Sequence, residues 1–316
     1  MKLYAITGAD GMIGRHLVQM LLASDVHMRV LLLPDAPIPP FFHGLDIVRG
    51  DIRDRETVER LVDGVEVVFH LAALVGRAAN GASLGMARDV NVGGTRNVLN
   101  AVLRSAHARL VFLSTCCVYG LHGFEEQMLD ENSPHVPLHL PYDLSKAEAE
   151  ALVAGTDPRL VPWTILQVPV ALGGAHTVEQ PTAISLIRLA RTGFAPRATG
   201  GGVWTNYVFG ADVAAALAML GRHQDAVGQT FIHSESVPLH VLVSWIAQEL
   251  GVRCRAVPVP HLALKAAALT RRSAIVLANR RRFASEKIAR LGFSPPIGLE
   301  RGVRETIRHY QSAGLI

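Results

Sequence analysis

Cysteine is scarce in this 316-residue chain: there are three, and two of them, Cys116 and Cys117, are adjacent. Three thiols cannot build a disulfide framework or the two separated pairs of a zinc site, so no metal centre is expected and a reducing, cytoplasmic setting is. Charge is also thin, at 18% of residues with a net of +4. The basic residues are scattered apart from Arg271-Arg272 and Arg280-Arg281-Arg282, which read as solvated helix faces. Phosphate tracking needs a continuous basic stripe, so no nucleic-acid partner is expected. Long apolar runs are missing too. The longest uncharged stretch, Leu160 to Val178, contains Pro162, Gln167, Pro169, Gly173, Gly174 and His176, and reads as a buried strand and a loop, not a membrane span. The opening MKLYAITGADG runs straight into a strand and a glycine loop, with no apolar signal region expected. No solenoid-length repeat is visible.

What is present is apolar: 49% of the chain, enough for one large domain or two of ordinary size. Short apolar runs at Lys2–Thr7, Met28–Leu33, Asp46–Val48, Val65–Leu71, Arg109–Ser114 and Trp163–Val168 alternate with helical spacing at Ile13–Ala23, Arg55–Val62 and Val92–Ser105. Strands apolar on both faces and separated by helices imply a parallel sheet covered on both sides, the doubly wound α/β (Rossmann) architecture. After Val168 the pattern loosens through Gly202. Tyr207–Leu220 returns to strand and helix, and the stretch from His233 onward reads as mostly helical. The expected division is a dinucleotide-binding unit over 1–168 and 203–233 and a smaller, mostly helical substrate region over 169–202 and 234–316.

Two constellations carry chemistry. Gly8-Ala9-Asp10-Gly11-Met12-Ile13-Gly14 is a glycine loop between the first strand and first helix, where the backbone turns tightly and helix N–H groups meet a pyrophosphate. The end of the second strand should choose between a ribose hydroxyl and a 2′-phosphate; Asp35 lies one or two residues late for a ribose contact and also reads as a turn residue. Asp51, after the third strand, sits where an adenine could be held, or caps the next helix. Tyr142-Asp143-Leu144-Ser145-Lys146 places a phenol and an ammonium one turn apart on a helix face, and a cation there should lower the tyrosine pKa.

With Leu113-Ser114-Thr115-Cys116-Cys117-Val118-Tyr119-Gly120 at the fifth strand's end, the chain resembles the extended short-chain dehydrogenase/reductase family, also called the NAD-dependent epimerase/dehydratase family. The resemblance covers most of the chain. It runs through T-G-x-x-G-x-x-G at 7–14, G-D-x-R-D at 50–54, H-L-A-A at 70–73, N-V-x-G-T at 91–95, V-Y-G at 118–120, Y-x-x-x-K at 142–146, V-x-x-x-D-V-A at 208–214, and the tail Leu291-Gly292-Phe293 with Gly298-Leu299-Glu300-Arg301-Gly302. It implies that Tyr142 is the acid/base, that Lys146 holds the ribose and tunes Tyr142, and that Thr115 bonds the reacting oxygen, with Ser114 as fallback. It implies NAD or NADP, contacted by Gly8, Asp10, Gly11, Met12, Ile13, Gly14, Asp35, Asp51, Ile52, Leu71, Ala72, Ala73, Asn91, Tyr142, Lys146, Val168 and Val170. His70 reads as a core histidine bonded to backbone, with no catalytic role. A homodimer pairing helices over 85–105 and 142–154 is also implied.

Departures narrow the branch. Sugar-nucleotide dehydratases carry an Asp-Glu pair after the threonine, where this chain has Cys116-Cys117, expected to be buried core. Epimerases carry L-R-x-x-N-V-Y-G and a later arginine, where this chain has Leu166-Gln167-Val168-Pro169-Val170-Ala171-Leu172-Gly173 and Thr205. Val168, Val170, Leu172, Phe194, Trp204 and Leu262 are expected around the substrate. The pattern is closest to the sterol-dehydrogenase-like and dihydroflavonol-reductase-like branches, with hydride transfer to or from a ketone or secondary alcohol of an apolar small molecule. The alternatives are a nucleotide-sugar 4-epimerase with retained NAD and a catalytically silent NAD(P)-sensing protein. Lack of an arginine at Leu33 favours NAD, unless Arg15 or Arg29 reaches the ribose.

Overall fold

The computed structural model describes residues 2–75, 81–105, 107–120, 122–173, 181–270 and 276–316. In chain order the elements are β1 (Lys2–Thr7), α1 (Met12–Leu22), β2 (Val26–Leu32), β3 (Asp46–Arg49), α2 (Arg55–Val62), β4 (Val67–His70), α3 (Leu84–Arg88), α4 (Gly94–Arg104), β5 (Arg109–Thr115), β6 (Gln127–Leu129), α5 (Pro141–Ala154), β7 (Trp163–Val168) and β8 (Val170–Leu172). There follow α6 (Pro181–Arg191), β9 (Phe194–Thr199), β10 (Trp204–Phe209), α7 (Gly210–Leu220), β11 (Gln229–Ile232), β12 (Glu235–Pro238), α8 (Leu239–Glu249), β13 (Arg255–Pro260), α9 (His261–Thr270), β14 (Arg281–Phe283), α10 (Glu286–Arg290) and α11 (Leu299–Ser312).

Seven strands form one sheet in the order β11-β7-β5-β4-β1-β2-β3, every neighbouring pair parallel. All residues of β4 and β7 are buried, which is why these strands read as unbroken apolar runs. One face is covered by α1 and α7 through Leu17, Leu21, Val213 and Leu217. The other is covered by α2, α4 and α5 through Val58, Leu61, Val98, Val102, Ala149 and Val153. Each such fully buried Leu or Val contributes about 1.5–3 kcal/mol. The chain winds outward from β1 to β3, then crosses back to β4 on the other side of β1. This reversal opens a crevice at the carboxyl ends of the central strands.

The later segments have their own core, with Leu172, Ile187, Tyr207, Phe209, Leu242, Val303 and Tyr310. β10 serves both: Val208 packs with the main sheet, Tyr207 and Phe209 with the second core. Ile288 and Phe293, within the expected second region, also pack against the main sheet.

This region is mixed, not mostly helical. The stretch expected to be loose holds β8, α6 and β9, and β12, β13 and β14 follow within the expected helical part. These strands escape sequence reading because they are short or exposed; β13 carries two prolines and is exposed at five of six positions. Arg280, Arg281 and Arg282 are not a helix face either. They enter β14, where Arg280 donates to Glu126 at 2.7 Å and Arg282 lies 4.5 Å from the Trp204 ring. Arg271-Arg272, and the loop expected through Gly174, His176 and Val178, lie outside the described residues.

Candidate active site

The glycine loop follows from steric necessity. Gly8 has φ +68°, and a Cβ there would sit 2.7 Å from the Ala72 nitrogen; one on Gly14 would sit 2.1 Å from the Gly8 carbonyl oxygen. The loop is therefore pressed between the β4 exit and the start of α1, which no side chain caps. Thr7 holds the arrangement: its hydroxyl oxygen accepts from Leu71 N at 3.2 Å and Ala72 N at 3.1 Å, and it lies 2.8 Å from His70 Nδ1. His70 Nε2 lies 3.0 Å from Thr95 Oγ1. Thr95 donates to the Asn91 carbonyl, so His70 Nε2 is the donor and Nδ1 accepts from Thr7. Burial lowers the His70 pKa to about 3, leaving a neutral core histidine, held by two threonine hydroxyls and not by backbone as expected.

Above the carboxyl ends lies a cavity of about 670 Å³. Its wall contains Gly8, Asp10, Gly11, Met12, Ile13, Gly14, Asp51, Ile52, Leu71, Ala72, Ala73, Thr115, Tyr142, Lys146, Val168 and Val170. Two expected contacts lie elsewhere. β2 stops at Leu32 and Asp35 is exposed beyond it; Leu33 takes the wall position. Asn91 lies behind the wall, in a π-helical turn between α3 and α4. Its Oδ1 accepts from Leu74 N at 2.7 Å and its Nδ2 donates to Ser145 Oγ at 2.9 Å, tying the loop after β4 to α5.

Asp51 does not cap α2. That role falls to Asp54, which accepts from Glu56 N and Thr57 N, while Asp51 pairs with Arg53 at 2.8 Å and is held low by that guanidinium. Leu172 packs in the second core, and Phe194, Trp204 and Leu262 are absent from the wall; Leu262 is 78% exposed. Among wall residues that sequence reasoning missed are Val75, Val90, Cys117, Pro169 and Ala171. Only Cys117 carried a signal, two residues after Thr115. Cys116 is buried core as expected, but Cys117 reaches the cavity.

Tyr142 and Thr115 share the cavity wall, and the Thr115 hydroxyl accepts from Cys117 N at 3.2 Å. Lys146 Nζ donates to the Leu113 carbonyl at 2.8 Å and stands 4.1 Å above the Phe112 ring. The expected lowering of the Tyr142 pKa is reversed: burial, then Cys117, raise it, and Lys146 is turned to the Leu113 carbonyl. Burial in turn lowers Lys146 to about 8. Cys117 is pushed up to about 12 by burial and by the charge of the Asp143 carboxyl, so it stays a protonated thiol. Burial raises Asp143 to about 6.

The residues fit a dinucleotide: a cradle any Cβ would fill, an uncapped helix start for the pyrophosphate, and a long cavity ending at Tyr142 and Lys146. Such a fold and site define a nucleotide-dependent oxidoreductase of the doubly wound class.

Residues 4–232 match the family described as NAD dependent epimerase/dehydratase, and the chain belongs to it. It is an extended short-chain dehydrogenase/reductase. Among curated relatives it is 28% identical over 349 aligned positions to 3beta-hydroxysteroid-dehydrogenase/decarboxylase isoform 1 of Arabidopsis thaliana, covering 96% of this chain and 78% of that protein. It is 34% identical over 182 positions to 3 beta-hydroxysteroid dehydrogenase type 7 of Homo sapiens, covering 54% of this chain and 48% of that protein. Among solved structures, the UDP-glucose 4-epimerase of Thermus thermophilus in complex with NAD superposes with a TM-score of 0.75 at 24% identity, covering 98% of this chain and 99% of that one. Among the described residues no helix is long and apolar enough to cross a membrane, and no group of three His, Cys, Asp or Glu is placed to hold a metal ion.

Proposed function

We propose that this protein is an NAD-dependent oxidoreductase acting on a ketone or secondary alcohol of a mainly apolar small molecule. Bound nicotinamide supplies or accepts the hydride. Tyr142 exchanges the proton, Thr115 orients the phenol and steadies the substrate oxygen, and Lys146 holds the ribose.

The observation that carries this reading is the presence of Thr115, Tyr142 and Lys146 in the wall of one cavity together with Val168, Pro169, Val170 and Ala171. Lys146 is the one cationic side chain among the described wall residues, and a substrate diphosphate would need more. A phenol kept protonated by burial is in the state that ketone reduction requires. The Cys117 thiol, kept protonated by burial and by the Asp143 charge, is a poor base for eliminating water. The sterol dehydrogenases among the relatives support an apolar substrate.

NAD is supported by Leu33 in the wall and by the engagement of both candidate arginines. Arg29 Nε pairs with Asp46 and its Nη1 with backbone carbonyls, while Arg15 Nε donates to the Asp10 carbonyl at 2.7 Å. The reading includes a homodimer through α3, α4 and α5, supported by exposed Met86 and Leu103; a monomer mass by light scattering would remove that part.

The test is incubation with NADH or NADPH and panels of apolar ketones and UDP-sugars. Net consumption of reduced cofactor with a ketone is the expected result. Conversion of a UDP-sugar without net consumption overturns the reading in favour of an epimerase.

A further inference from the structure

Helix α5 carries three ionisable side chains at successive turns, Tyr142, Lys146 and Glu150, and the chemistry above uses only the first two. Glu150 is 3% exposed. Its Oε2 accepts from the Ser114 hydroxyl, its Oε1 accepts from the Gln167 amide at 2.7 Å, and the same Oε1 lies 3.4 Å from His135 Nε2. Ser114 is in the cavity wall, and the His135 side chain is 35% exposed. A buried carboxyl thus joins the cavity to the surface through direct contacts.

The surroundings leave that carboxyl free to change charge. Gln167, a neutral amide, stands where the epimerase pattern has arginine, and its Oε1 is taken by the Tyr119 hydroxyl at 2.7 Å. The titratable groups facing Glu150 are Lys146 from α5 itself, Cys116 and Tyr119 from the turn after β5, and His135 with Glu131 near it from the loop before α5. From β5 and β7 come the uncharged Ser114 and Gln167. Burial raises the Glu150 pKa above the usual carboxylate value.

We propose that Ser114, Glu150 and His135 form a proton path that recharges Tyr142 from solvent through Lys146. The proposal rests on the oxidoreductase reading of the same cavity. In the reducing direction Tyr142 gives its proton to the substrate oxygen as the carbon accepts hydride. The phenolate then takes a proton from the Lys146 ammonium, which burial has brought to a pKa of about 8. The amine, held at the carbonyl of Leu113 next in sequence to Ser114 and sharing the cavity wall with it, is refilled in this proposal through the Ser114 hydroxyl, which passes on its own proton and takes the one on Glu150. Glu150 takes a proton from the His135 imidazolium, and His135 takes one from water. One proton enters for each delivered. Glu150 and His135 are positioning residues that act through Tyr142 and touch no substrate.

The first test uses the protein without cofactor. Infrared difference spectra in H2O and D2O should show a buried protonated-carboxyl band that titrates together with the His135 ring-nitrogen resonance, and Glu150→Gln should remove the band and shift the His135 titration. The second uses the active enzyme at low buffer concentration. His135→Ala, at a partly exposed site outside the core, should lower kcat about tenfold with KM unchanged, less than the roughly 10²- to 10⁴-fold of a direct proton donor. It should also raise the solvent isotope effect and recover with added imidazole. An active enzyme whose His135 titration ignores Glu150→Gln, or whose kcat ignores His135→Ala, overturns the path alone. Coupled titration in a protein that turns over no ketone or alcohol overturns the oxidoreductase reading, and the path's role falls with it.

Discussion

The nucleotide half and the substrate half of the cavity are built on different principles. Around Gly8, Gly14, Thr7 and His70 each contact is forced: glycines whose Cβ would collide with backbone, and a threonine–histidine–threonine chain in which every proton has one direction. Around Val168, Pro169, Val170 and Ala171 the wall is defined by what is missing, with Gln167 and Thr205 at the epimerase arginine positions and both turned inward, Gln167 to Glu150 and Thr205 to the Val237 carbonyl. Backbone sterics tolerate one ligand class, whereas an apolar wall selects by shape and by failing to compensate charge. One half states its ligand and the other only excludes some.

The sharpest break of this comparison is at the junction, Tyr142. Tyr142→Phe should lower kcat by about 10²- to 10⁴-fold while dinucleotide affinity stays as it was; steady-state rates and calorimetry check both, and retained turnover removes the assigned chemistry. Next is Gly14→Ala, which places a Cβ 2.1 Å from a carbonyl oxygen. Dinucleotide affinity should fall at least about a hundredfold, about 2.8 kcal/mol, whereas Leu262→Ala, at an exposed position outside the wall, should change nothing. Normal binding by the Gly14 variant would show that the cradle is not the cofactor's seat.

The pH response of the nucleotide half comes third. His70 is lowered to about 3 from an unfolded value near 6.5, so its contribution to stability is complete above pH 6.5 and is lost as pH falls toward 3. The slope is at most about 1.4 kcal/mol per pH unit for one proton. Thermal melts across this window should therefore be flatter by one proton in His70→Gln than in the parent chain; equal slopes would mean that His70 is not held neutral. The smallest effect is expected from Leu33→Arg, which adds a cation beside the ribose site and should shift preference toward NADP about tenfold. Unaltered preference would place the 2′ position away from Leu33.

Much of the nucleotide half was legible in the residues. The glycine loop, the buried parallel strands and the one-turn spacing of Tyr142 and Lys146 follow from local rules, since glycine conformation, strand burial and helical spacing act within a few residues, whereas the roles of Thr115, Tyr142 and Lys146 came from the family resemblance. Asp35 and Asn91 stand outside the cavity wall for a related reason: where a strand ends, and which way an asparagine faces, depend on neighbours distant in sequence. Leu33 occupies the wall because β2 stops at Leu32, and Asn91 faces Leu74 and Ser145 because a π-helical turn rotates it there. Cys117 escaped because a thiol next to a buried twin looks like core until the turn after β5 aims the two in different directions.

By itself the sequence determined that a parallel sheet covered on both faces would form, because strand burial shows as apolar periodicity at short range; the order β11-β7-β5-β4-β1-β2-β3 came only with the tertiary structure. Tertiary structure alone decided the electrical states of the reacting groups. Lys146 was expected to draw the Tyr142 proton off, but packing buries both, points the ammonium at the Leu113 carbonyl and leaves the phenol protonated. It also decided that Ser114, Glu150 and His135, separated by 36 residues in one step and lying on a strand, a helix and a loop, meet in one line. Desolvation and long-range contact are properties of the assembled core, and no local pattern contains them.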